Sequence, residues 1–134
     1  MKTIFLIAAI LSLSLLISCS SQPKLMQAAI EPELASPGAS ANVQVEFSGN
    51  KSEMKNVYLT VREYPYDYPM IELLPNDKSD SNSWSLDMPI PYEAYPGEYH
   101  LDINAFLQDG KEIITEGFED NSTGKAGTIL LKVK

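Results

Sequence analysis

Side chains suited to chemistry are few and scattered in this chain. It holds one cysteine, Cys19, and one histidine, His100. A metal centre gathers three or four ligands, so a lone histidine is a poor start for one. A Ser-His-Asp device would have to use His100, and no serine sits in a Gly-x-Ser-x-Gly elbow. Two of the 18 acidic residues could converge as a hydrolase pair, but no spacing favours any two. Glu116, Glu119, Asp120 and Asn121 offer oxygens to calcium, yet they do not follow the spacing of a calcium-binding loop and read better as a solvated loop. Thr123-Gly124-Lys125 lacks the glycine-rich run that cradles phosphate. No catalytic residue, metal site or cofactor is therefore assigned, and the chain reads as a non-enzyme.

Binding chemistry is better represented. Tyr64-Pro65-Tyr66-Asp67-Tyr68-Pro69 sets three tyrosines and one acid between prolines. Tyrosine offers a large apolar face and a hydroxyl at low entropy cost, which suits recognition loops. Prolines would hold such a loop extended. Tyr64, Tyr66, Asp67 and Tyr68 are thus the candidate binding residues, for a peptide or a sugar. The competing expectation is a structural edge segment, with its tyrosines folded back and its prolines blocking strand pairing. Tyr92 and Tyr95 form a second aromatic group, expected to pack near Tyr99. If the two connections lie at opposite ends of the fold, the groups do not form one site.

The elements that must position these residues are strands. Val43, Val45 and Phe47 alternate with polar neighbours, as do Val57, Leu59 and Val61. Trp84, Leu86 and Met88 repeat the pattern, and Tyr99, Leu101, Ile103 and Ala105 extend it. Period-two alternation marks half-buried strands. Residues 70–74 form a short apolar run, Asp109-Gly110 signals a hairpin with Ile113 to Thr115 continuing beyond it, and 128–133 closes the chain. About seven short strands, with turns roughly every ten residues, point to an all-β, antiparallel β-sandwich. His100 faces outward if Tyr99 and Leu101 face inward.

The segment from Tyr95 through Pro96, Gly97 and Glu98 to Tyr99 resembles the E–F corner of immunoglobulin-like domains. There a tyrosine at the start of a strand bonds back to the chain, and a core residue follows two places on. Tyr99 and Leu101 occupy those places, Pro96 and Gly97 suit the turn, and Trp84 would anchor the core. The resemblance implies an Ig-like or fibronectin-like sandwich over roughly 41–134. It implies no particular activity, because such sandwiches host many.

The N-terminus carries an address. Lys2 precedes an apolar stretch from Ile4 to Ile17, too short for a comfortable span but suited to a secretory signal. Leu16-Ile17-Ser18-Cys19 resembles the lipobox of bacterial lipoproteins. That resemblance implies cleavage of residues 1–18 and a diacylglyceryl group on Cys19, with stable anchoring by two or three acyl chains. Ser20, rather than aspartate, after the cysteine leans towards the outer membrane; the face it occupies is left open. Residues 19–40 read as lipidated cysteine and tether, with an edge strand over 25–30 as an open alternative. A lipidated Cys19 also leaves no thiol for a disulfide or for catalysis.

Removing 18 of the 134 residues leaves one modest domain. The precursor's net charge of −8 argues against nucleic acid and against docking on anionic lipid. The resulting expectation is an envelope lipoprotein acting as a non-catalytic binding or adhesion module with a protein or glycan partner. The alternatives are a structural accessory subunit of an envelope assembly and, more weakly, an inhibitor or chaperone of exported proteins.

Overall fold

The computed structural model describes residues 22–68, 70–113 and 127–134. Cys19 and the lipobox therefore lie outside the described residues, as do Thr115, the acidic 116–121 stretch and Thr123-Gly124-Lys125. Among the described residues the chain is all-β, with eight strands: β1 (Leu25–Glu31), β2 (Leu34–Ala35), β3 (Ser40–Phe47), β4 (Met54–Val61), β5 (Ile71–Pro75), β6 (Asn82–Pro89), β7 (Gly97–Leu107) and β8 (Thr128–Val133). A single 3-10 turn at Lys51–Glu53 precedes β4. No helix there is long and apolar enough to cross a membrane.

Alternation in sequence becomes alternation of faces because successive strand side chains point to opposite sides. On β3, Ala41, Val43, Val45 and Phe47 are buried while Asn42, Gln44 and Glu46 face out. Val57, Leu59 and Val61 of β4 meet Ala105, Ile103 and Leu101 of antiparallel β7 across the ladder. The strands follow the order β1-β3-β6-β5-β4-β7-β8-β2. β5 makes this succession possible. Its residues Ile71 to Leu73 pair with β4, and its last two, Leu74 and Pro75, pair with β6. One strand thus hands over from one half of the sheet to the other, and the sheet curls until β1 lies against β8.

Two sequence expectations gain detail here. Residues 25–30 are strand, paired with β3 from Phe47 to Asn42, so the sheet takes in chain well before residue 41. Pro23 is fully buried, and Lys24 and Ser48 exchange hydrogen bonds, which fastens the chain from its first described residues. Among the described residues, two-residue β2 also adds a short parallel edge to β8, which the alternation in sequence did not mark. The Asp109-Gly110 turn does form a hairpin: Leu107 N–H reaches the Lys111 carbonyl, and Ile113 N–H reaches that of Ala105.

Polar groups drawn into this core have partners. Asn82 is buried, accepts the Trp84 indole N–H at 2.9 Å and donates to the Ser48 carbonyl. Thr128, also buried, donates to Asp102 at 2.6 Å. Asp102 also takes a two-pronged contact from Arg62, at 2.7 and 3.0 Å. No described buried side-chain nitrogen or oxygen is left without a partner. Unmatched polar groups in a core cost more than their bonds return, so this satisfaction matters to stability.

Candidate functional site

β4 ends at Val61, and β7 starts beside it, with Val61 opposite Leu101. β6 also ends nearby, as Met88 and Pro89. The two connections that leave these ends, 62–70 and 90–96, therefore emerge from the same end of the sheet. This corrects the alternative that would have kept the aromatic groups apart. Between them opens a cavity of about 460 Å³. That volume lies within the range of small-molecule pockets, roughly 300–1,000 Å³. Its walls are aliphatic and come from the core itself: Val61, Ile71, Met88, Leu101, Leu131 and Val133.

The mouth is aromatic and acidic. Tyr64, Asp67 and Tyr68 come from the first connection, and Glu93, Ala94 and Tyr95 from the second. Tyr99, at the start of β7, lies between them. Its hydroxyl donates to the Tyr95 carbonyl at 2.6 Å, and its ring stacks on Tyr64 with centroids 5.9 Å apart. Gly97, with φ of +151°, makes the preceding corner, a conformation that L side chains rarely adopt. Burial, then the neighbouring Tyr64 and the Glu63 carboxylate, push the Tyr99 hydroxyl above the ordinary tyrosine value. It therefore stays a neutral donor at physiological pH.

The tyrosine-proline segment is not extended. Tyr68 N–H returns to the Tyr64 carbonyl at 3.0 Å, and Tyr64 N–H to that of Val61. This closes a turn that puts Tyr64 and Tyr68 on the cavity side and Tyr66 at the apex. Tyr66 is 95% exposed and takes no part in the lining. Tyr95 is exposed at the mouth and meets the Tyr99 corner through its carbonyl. Tyr92, 85% exposed, leans its ring over Gly38, where a missing Cβ leaves room. The first sequence candidates thus divide, with Tyr64, Asp67 and Tyr68 at the cavity and Tyr66 in solvent. Ile90, Glu93 and Ala94 join the lining without having been singled out.

His100 faces outward beside the mouth. Its Nδ1 lies 2.5 Å from a Glu63 oxygen, and its backbone N–H also donates to that carboxylate. Burial raises the Glu63 carboxyl, but these hydrogen bonds outweigh it and hold the carboxyl below the usual range. Among the described residues, no three His, Cys, Asp or Glu side chains gather as a metal site.

No family model matches the chain, and no curated protein does. A solved structure, that of a Niemann-Pick type C2 protein from the Japanese carpenter ant, is similar over 87% of this chain and 96% of that one. Identity is 10% and the TM-score 0.45, a level at which the likeness bears on neither ligand nor activity.

Proposed function

We propose that this chain is a lipid-anchored envelope protein whose single Ig-like sandwich is a non-catalytic binding module. The Ig-like reading draws support from the strand order, with β1, β3 and β6 on one side, β4, β7 and β8 on the other, and β2 running parallel to β8. The observation that carries the binding role is the cavity: an aliphatic interior reached through a mouth of tyrosines from two connections. Such walls favour a ligand with an apolar body. A glycan would leave its hydroxyls unmatched against Ile71, Met88 and Leu131, at a desolvation cost.

The first described residues already belong to the fold. A chain begun at residue 19 with Cys19→Ala therefore keeps every described element and can be handled without detergent. Titration with a neutral naphthylamine dye should give saturable, one-to-one fluorescence enhancement. Ala94→Trp, which fills the cavity, should weaken that binding at least tenfold while the circular dichroism stays native. Dye uptake that never saturates, or that ignores Ala94→Trp, would remove the basis for a binding module here.

A further inference from the structure

We infer that the ligand seated in this cavity is a small cationic amphiphile, an aliphatic body ending in an ammonium group. This rests on the binding role proposed above and adds the charge of the ligand. Among the described residues, the ionisable side chains at the mouth apart from tyrosine are Asp67 and Glu93, with no lysine, arginine or histidine in the lining. Glu63 lies near enough to raise the Tyr99 pKa, but its carboxylate is engaged by His100 and it does not line the cavity. The chain's one arginine, Arg62, spends its charge on Asp102 by a two-pronged contact. The whole chain is acidic, at −8, so its wider field has the same sign.

Aromatic rings complete the complementarity. Tyr64, Tyr68, Tyr95 and Tyr99 border one opening. A cation within about 6 Å of a tyrosine ring is attracted by its electron-rich face, more strongly when partly desolvated. An ammonium at this mouth would meet ring faces and carboxylates together while its chain lies against Ile71, Met88 and Leu131. A carboxylate or phosphate headgroup would face like charges in the same place. A neutral headgroup would gain neither attraction. The volume of the cavity exceeds what one lysine side chain would fill, which favours a free amphiphile over a basic residue of a protein partner.

Three probes with the same ten-carbon tail isolate the charge: decyltrimethylammonium, decanol and decanoate, each below its micellar concentration, competing with the neutral dye on the Cys19→Ala chain. The expected result is at least tenfold tighter competition by the ammonium than by decanol, with decanoate weakest. Moderate salt should narrow the gap, since the carboxylates are exposed. The double variant Asp67→Asn, Glu93→Gln should bring the ammonium and decanol within about threefold of one another. Decanoate or decanol competing as well as the ammonium overturns the charge inference and leaves the cavity reading standing. A dye that fails to bind at all overturns both.

Discussion

At the scale of single residues, the pair most exposed to solution conditions is Glu63 with His100. The carboxylate accepts from His100 twice, through the ring and through the backbone, and its pKa is held below the ordinary value by those bonds. A carboxyl depressed in the folded state contributes stability above its unfolded pKa, about 4.3, and loses it as pH falls through the folded value. Glu63→Gln should therefore lower the melting temperature at pH 6, with the difference from the parent shrinking steadily from about pH 4.5 downward. Both side chains are partly exposed, so the shift should be small. A difference that stays constant from pH 6 to pH 3 would show that the carboxylate's charge contributes nothing. Tyr64, Asp67 and Tyr68 stood out in sequence as tyrosines and an acid set among prolines, and the structure places them at the cavity. Tyr66 could not be told apart from Tyr64 and Tyr68, because the turn that faces it to solvent is closed by backbone hydrogen bonds, Tyr68 N–H to the Tyr64 carbonyl and Tyr64 N–H to that of Val61. Glu93 and Ala94 carry no pattern at all. Their role follows from which strand ends lie side by side.

At the scale of elements, alternation revealed most strands, and the inward residues of β3, β4 and β7 are those that the period-two pattern selects. What alternation could not reveal is the double pairing of β5, since five residues carry no mark of a strand that changes partners. Nor does it show how the connection over the cavity is secured. Gly38 supplies that tie: its N–H donates to the Ile90 carbonyl at 2.9 Å, and the Ile90 N–H returns to Ala39 at 2.8 Å. Gly38 has φ of +81°, and a Cβ there would come within 2.4 Å of the Tyr92 ring. Gly38→Ala should cost about 1–2 kcal/mol through the left-handed backbone alone. Tyr92 is exposed and able to swing away, so Tyr92→Ala added to Gly38→Ala should recover only the smaller, steric part. Urea unfolding followed by the emission of Trp84, the one tryptophan, measures both. Full recovery in the double variant would mean that collision, not backbone strain, dominates.

At the scale of the whole molecule, the two ends of the sheet have separate roles in the proposed arrangement. Phe47 pairs with Asn82 at one end of the β3–β6 ladder, and Ser40 with Pro89 at the other. Pro23 packs beside Gly49, at the first end, while the cavity opens beyond Pro89, at the second. Eight strand residues at about 3.3 Å each put roughly 25 Å between them. From a lipid on Cys19 to Pro23 the chain can reach at most about 14 Å, at roughly 3.3–3.6 Å per residue. An anchored domain should therefore stand close to the bilayer with its cavity facing away, so that ligand arrives from the aqueous side and not from the anchoring leaflet. With Cys19 occupied by lipid, single cysteines introduced as Asn50→Cys or Tyr66→Cys can carry a fluorophore in vesicles that contain a headgroup quencher. The label at residue 50 should be quenched strongly and the label at residue 66 weakly. Equal quenching would mean that the domain lies on its side, and the reverse order would turn the cavity towards the membrane.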